Sequence, residues 1–377
     1  MGVCRATSKR SNNMLRILGL CVSFFIACAA SAHDRPFVHA DKIAATLGAE
    51  IKKQEIVGLA VIVIDQGEVA WSNAYGYSDR EQKAPVDLDK SQFRWASVSK
   101  PLTAVAAMQL AEKGLLDLDA DVRTYVPEFP DKGVKITARQ LLCHRGGIVH
   151  NDRLESAVQY TTPHPFADVI VALDKFKESP LVHPPGRQFD YSTQGYMLLS
   201  AVVERAGTQR FADQLQERIA KPLGMKSLRP DFPWEDIPRR VVGYRRTEKG
   251  VERRQDRDVT EAYWKWGGGG FSSTPADLAA FCVGLLQTKL VSKQTQRQMW
   301  SPVTPTEPDK PKLKYGLGFY VVQSPSGSRW VGHDGMQTKA RTGFLLEPES
   351  NRGVVILTNC EWVDPMPIAM TLLEMMK

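Results

Sequence analysis

Apolar positions fall into two regimes along the chain. Ile56–Asp65 is an almost unbroken apolar, β-branched run, broken at Gln66-Gly67 and resumed over Val69–Tyr77, a pattern that predicts a buried hairpin. From Ser99 to Lys113 the period becomes helical. Leu102, Val105, Ala106 and Leu110 share a face there, and Gly114 supplies the stop. Between 115 and 265 the segments read mostly as helices broken by Pro and Gly, among them Ala138–Leu142, Gly195–Ala206 and Phe211–Ile219. Thr274-Pro275-Ala276-Asp277 is a helix start, with the capping side chain first and proline in the first turn. Strand character returns over Tyr315–Gln323, Thr342–Leu346 and Gly353–Thr358, and Asp364-Pro365 opens a last helix.

Strands at both ends with helices between them predict an α/β (α+β) fold. One antiparallel sheet, built from 33–115 and 266–377, is flanked by helices, and 116–265 forms a mostly helical second domain. The length of 377 residues suits two such domains, and 43% apolar with 24% charged residues excludes disordered, collagenous and coiled-coil chains.

The first 32 residues alter the charge balance. Arg5, Lys9, Arg10 and Arg16 precede an uncharged run, Ile17–Ala30, that ends in Ala30-Ser31-Ala32. That order is a secretory signal peptide, with Met14 as an alternative start. Its removal with four basic side chains leaves 345 residues and lowers the net charge from +7 to +3, which takes away the main support for a nucleic-acid partner. The expected location is periplasmic or secreted. Phe25-Ile26-Ala27-Cys28 offers the alternative of a lipoprotein anchored at Cys28, so membrane association is expected only through the leader or that lipid. Cys4, Cys21 and Cys28 leave with the leader. Of Cys143, Cys282 and Cys360 at least one is unpaired within the chain, and the sequence does not say whether the other two join.

Common catalytic signatures are missing, among them G-x-S-x-G, H-E-x-x-H and the Walker loop. His144, His150 and Asp152 lie close together at a spacing that fits neither a helical ligand pair nor a zinc knuckle, so they read as structural and no metal is expected. Gly267–Gly270 follows no apolar strand and reads as close backbone packing rather than a phosphate cradle. The stretch Arg239–Asp258, with eight basic and four acidic residues, reads as a solvated loop. Its sharper alternative is a loop that attracts an anionic substrate.

Ser97-Val98-Ser99-Lys100 is the one S-x-x-K, and it sits at the start of an apolar helix behind Phe93-Arg94-Trp95-Ala96. Residues three apart on a helix are neighbours, so Lys100 lies beside the Ser97 hydroxyl. A desolvated lysine can take the proton that makes serine a nucleophile.

In this context the chain resembles the serine β-lactamase and penicillin-binding-protein superfamily, in its class C β-lactamase-like branch. Phe93–Lys100 looks like the nucleophile segment, Leu115–Pro130 and Ile136–Ile148 follow the pattern downstream, and Pro185–Glu204 resembles the segment of the second motif. Gly268–Phe281, Tyr315–Phe319 and Gly332–Asn359 complete it in order, from about Ile56 to Cys360. Two positions depart from the usual pattern: Tyr191-Ser192-Thr193 carries Thr193 where Asn is usual, and His333-Asp334-Gly335 carries His333 where β-lactamases have Lys. Tyr-Ser-Thr with His-x-Gly, and His150 after Gly-Gly-Ile, are most similar to the mitochondrial serine β-lactamase-like proteins, which are filament-forming peptidases; self-assembly is an accompanying expectation.

The resemblance implies an active site in the cleft between two domains. Ser97 would attack an amide or ester carbonyl, Lys100 with Tyr191 would move the proton, and the backbone N–H groups of Ser97 and Met336 would form the oxyanion hole. Thr193, His333 and Gly335 would bind the substrate, a small molecule or peptide, with no cofactor. Three functions compete: a peptidase or amidase on small peptides or peptidoglycan stems, an esterase or weak β-lactamase, and a non-catalytic binding or filament-forming protein.

Overall fold

A computed structural model describes Gly2 and residues 37–150, 166–254, 263–305 and 313–377. The expected leader and Asp152 lie outside the described residues. The chain from residue 37 begins with α1 (Ala40–Gln54), then β1 (Gly58–Asp65) and β2 (Glu68–Asp79), β3 (Ala84–Pro85) and β4 (Phe93–Arg94). A short 3-10 turn, Ala96–Val98, leads into α2 (Ser99–Glu112). After α3 (Ala138–Leu142), α4 (Thr193–Ala206) and α5 (Phe211–Leu215) come β5 (Arg229–Pro230), β6 (Tyr244–Thr247), β7 (Gly250–Arg253) and β8 (Phe271–Ser273). Helices α6 (Pro275–Leu286) and α7 (Lys293–Met299) precede β9 (Thr304–Pro305), β10 (Leu313–Tyr315), β11 (Tyr320–Gln323), β12 (Arg329–Gln337), β13 (Ala340–Glu347) and β14 (Arg352–Thr358), and α8 (Pro365–Met375) ends the chain.

The main sheet has nine strands in the order β3-β2-β1-β14-β13-β12-β11-β10-β9, and its pairs are antiparallel. The first strands of the chain therefore meet the last at the centre, with Leu59 opposite Thr358 and Ile64 opposite Gly353. The unbroken apolar run of β1 has a simple cause, because both faces of the sheet are covered. Ala60, Ile62 and Ile64 pack with α2, α4 and α6, while Leu59, Val61 and Val63 pack against Ile43 and Leu47 of α1 and Ile368, Leu372 and Leu373 of α8.

Helix α6 starts as its sequence predicts. Thr274 accepts from the Asp277 N–H, and Pro275 occupies the first turn. Helix α2 differs from the one-faced helix expected of it, since every residue from Ser99 to Leu110 is buried. It is the central post of the fold rather than a surface helix. Tyr315–Gln323, expected as one strand, is a hairpin. Gly318 turns the chain at φ +90°, where a Cβ would stand 2.2 Å from the Ala104 Cβ of α2.

The charged stretch after Arg239 is not a free loop. Residues 244–253 form the β6–β7 hairpin, anchored by the buried Tyr244, whose hydroxyl donates to Glu81 at 2.6 Å and accepts from the Arg80 N–H. Arg245, Arg246, Arg253 and Arg254 pair with Glu252, Glu55, Asp79 and Glu361. Residues 255–258 of the stretch lie outside the described residues. Cys143, Cys282 and Cys360 are free, buried thiols. Among the described residues no helix is long and apolar enough to cross a membrane.

Candidate active site

Ser97 lies in the 3-10 turn between β4 and α2. Ala96 before it adopts φ +46°, an uncommon left-handed conformation for a residue with a side chain. The bend lifts Ser97 out of a segment that is otherwise buried from Ser91 to Lys100 and presents it to a cleft of about 260 Å³. A larger hollow of about 650 Å³ is lined by Lys226 and Ser227, but the Ser227 hydroxyl there donates to Asp277 at 2.7 Å rather than facing a lysine. Chemistry, rather than volume, selects the smaller cleft.

One turn into the helix, Lys100 is fully buried, and its Nζ lies 3.1 Å from Ser97 Oγ, 2.6 Å from the Gly268 carbonyl and 3.4 Å from Thr193 Oγ1. Burial pulls its pKa well below the ordinary lysine range, the charge of Lys265 acts in the same direction, and Asp334 opposes both. The three neighbours suit an uncharged amine, because two N–H bonds can serve Gly268 and Thr193 while the lone pair faces the Ser97 hydroxyl. The ring of Tyr191 lies 4.7 Å from Nζ. Burial raises the Tyr191 pKa, and a hydrogen bond with Ser97 counteracts part of that rise.

Helix α4 positions the second motif. Ser192 caps it by accepting from the Gly195 N–H at 2.9 Å. Two histidines hold the segment from outside: His144 Nδ1 accepts from the Ser192 N–H and His150 Nδ1 from the Thr193 N–H, each at 3.1 Å. These histidines support the site structurally, and His150 also lines the cleft. Three of the four glycines are close-packed: a Cβ on Gly267 would sit 2.1 Å from Thr103 Oγ1, one on Gly268 2.6 Å from the Thr193 carbonyl, and one on Gly270 2.6 Å from the Trp266 nitrogen. Sequence reasoning missed their second consequence, which is that the Gly268 carbonyl can accept from Lys100.

Strand β12 forms the opposite wall. Gly335 runs so close to Ser97 that a Cβ there would lie 2.4 Å from the Trp95 carbonyl and 3.1 Å from the Ser97 nitrogen. Met336 follows, 61% exposed and lining the cleft. His333 is placed differently from the expected substrate contact. Its ring is fully buried, with Nε2 3.0 Å from the Tyr315 hydroxyl and Nδ1 2.5 Å from the Asp334 carbonyl oxygen, and burial pushes its pKa down to about 3. On a strand the next residue faces the other way. Asp334, with Lys265 and Tyr320, is the cleft residue that the motif comparison overlooked.

Ser97, Lys100, Tyr191 and Thr193 are thus brought together, with Gly335 and Met336 beside them. Among the described residues no cluster of His, Cys, Asp and Glu could hold a metal ion. Residues 40–366 match the Beta-lactamase family. The chain is 30% identical to "Serine beta-lactamase-like protein LACTB, mitochondrial" of Homo sapiens, over 78% of this chain and 69% of that one. It is 28% identical to "Penicillin-binding protein 4*" of Bacillus subtilis (strain 168), over 86% and 72%. A D-amino acid amidase from Ochrobactrum anthropi SV3 shares the fold, with a TM-score of 0.75, 21% identity and coverage of 89% and 98%. The match along nearly the whole described chain, together with the serine–lysine contact, gives the conclusion that this protein belongs to the Beta-lactamase family and is a serine hydrolase.

Proposed function

We propose that the protein is an exported serine amidase or peptidase, acting on small peptides or peptidoglycan stems through an acyl-enzyme on Ser97. One observation carries the mechanism: the Ser97 hydroxyl is 3.1 Å from a fully buried amine whose pKa burial lowers well below the ordinary lysine range. Ser97 Oγ bonds to the substrate carbonyl carbon as its proton passes to Lys100 Nζ, with Tyr191 bridging to the leaving nitrogen. The C–N bond breaks and the amine leaves with that proton. Water then attacks the ester carbon, the Oγ–C bond breaks, and Ser97 regains a proton. The N–H groups of Ser97 and Met336 stabilise the oxyanion in each half.

The buried His333 supports an amidase over a β-lactamase, because it presents no cation to the cleft. The name of the amidase of similar fold points the same way. A panel of D-amino acid amides and peptides, short esters and nitrocefin tests the substrate class. Amide turnover should exceed nitrocefin turnover, and the reverse order would overturn the assignment. Export rests on the run that ends at Ala32 and is tested by N-terminal sequencing of protein from its native host. A mature terminus near His33 is expected, and intact residues 1–32 on soluble cytoplasmic protein would overturn it. A lipid on Cys28 would identify the anchored form.

A further inference from the structure

Asp334 stands between His333 and Gly335 on β12, and its carboxylate lines the same cleft as Ser97, Tyr191 and Thr193. Its side chain is 28% exposed, so the charge is largely withdrawn from water. Among the described residues it has no ion pair with lysine or arginine. Its nearest basic group is His333 Nδ1 at 3.8 Å, on a ring that burial keeps neutral. Burial holds its carboxyl above the ordinary range, Asp364 adds repulsion, and Arg341 offsets only part of the cost. Arg341 directs its guanidinium to the carbonyls of Gln337 and Ala340 instead. A desolvated carboxylate without a counter-ion, at the mouth of a nucleophilic site, is unfavourable unless a bound cation completes it.

Lys265 lines the same cleft. The cleft thus carries a negative group from β12 and a positive one from the segment that leads into the glycine run. A carboxylate placed on the β12 side would meet Asp334 and be repelled, while an ammonium there would gain a charge-assisted hydrogen bond. The carboxylate is not needed to hold the strand. His333 bonds to the main-chain oxygen of Asp334, and β12 keeps its register with β13 through backbone pairs such as Gly335 with Thr342.

We propose that Asp334 is the specificity residue of this cleft, receiving the protonated amine of an amino-acyl amide or peptide and rejecting substrates that place a carboxylate there. The inference rests on acyl transfer at Ser97.

The test uses three p-nitroanilides of D- and L-phenylalanine that differ only at the α-nitrogen, being free, N-acetylated or N-succinylated. Wild type should give the highest kcat/KM for the free amine and the lowest for the succinylated compound. Asp334→Asn should lower the free-amine to succinyl ratio about tenfold to a hundredfold, the worth of a charge-assisted hydrogen bond expressed in the transition state. Asp334→Thr, a second neutral variant, should lower it equally, and a ratio within each protein is insensitive to an overall loss of active enzyme. A ratio that stays at the wild-type value in both variants overturns the proposal. So does a wild-type preference for the succinylated compound, which would make Lys265 the discriminating charge. Labelling of wild type by a neutral fluorophosphonate separates the two levels. With labelling intact, an indifferent ratio overturns the role of Asp334 alone, and absent labelling overturns acyl transfer and this role with it.

Discussion

Replacing Gly335 by alanine should abolish most activity while leaving a folded protein. The added Cβ would stand 2.4 Å from the Trp95 carbonyl and 3.1 Å from both the Ala96 Cβ and the Ser97 nitrogen. Two of these are backbone atoms, so no side chain can swing away, and β12 must retreat until the 2.4 Å contact opens beyond 3.0 Å. Overpacking of this kind costs about 1–3 kcal/mol. The strand carries Met336 with it, and displacing one oxyanion donor costs about 10²–10³ in kcat. Because the donor acts in the transition state, kcat should fall with KM little changed. Gly327→Ala is the control. Gly327 also has positive φ, at +91°, but lies in the β11–β12 turn with nothing within 4 Å of its Cβ position. It should lose about 1–2 kcal/mol of stability and no activity. Steady-state hydrolysis of a p-nitrophenyl ester, read beside thermal unfolding, separates the two effects. A Gly335→Ala enzyme with wild-type kcat and wild-type Tm would show that β12 absorbs the methyl without moving Met336.

Lys100→Met should lower kcat by about 10²–10⁴ through loss of the base, with stability held or raised because a buried amine is replaced by an apolar chain of similar length; a marked fall in Tm in chemical or thermal unfolding would contradict this. His333 should make the protein acid-sensitive. Its folded pKa of about 3 lies below the unfolded value near 6.5, so between those values the unfolded chain binds more protons and stability falls as pH falls, by up to about 1.4 kcal/mol per pH unit. Urea unfolding from pH 4 to 7 should show that slope, flattened in His333→Asn. His333→Lys should destabilise by about 1–3 kcal/mol or more without raising nitrocefin turnover, because position 333 is fully buried; faster nitrocefin turnover with unchanged Tm would show that residue 333 reaches the substrate.

The parts of the site that the sequence reveals are the local ones. Ser97 and Lys100 are three residues apart, and a helix start suffices to bring them together. Thr274-Pro275 states its helix in four residues, and the apolar run of β1 states a strand buried on both faces. What stayed hidden depends on distant partners. The Gly268 carbonyl comes within reach of Lys100 across 168 residues, and no local pattern marks a backbone acceptor. His333 looked like a substrate contact because its motif position was matched while its facing was not. Strand alternation, with Tyr315 available at its Nε2, turns the ring inward and leaves Asp334 in the cleft. Helix α1 went unpredicted because it buries only Ile43 and Leu47, too sparse a stripe to stand out. The β6–β7 hairpin was masked by its charges, whose acidic partners lie as far away as Glu55 and Glu361.

Formation of an acyl-enzyme on Ser97, with Lys100 as its base, is read out by intact-mass measurement after treatment with a neutral fluorophosphonate. Wild type should gain the mass of one adduct, Ser97→Ala none, and Lys100→Met one only at a much slower rate. An undiminished adduct on Ser97→Ala would place the nucleophile elsewhere and contradict the account.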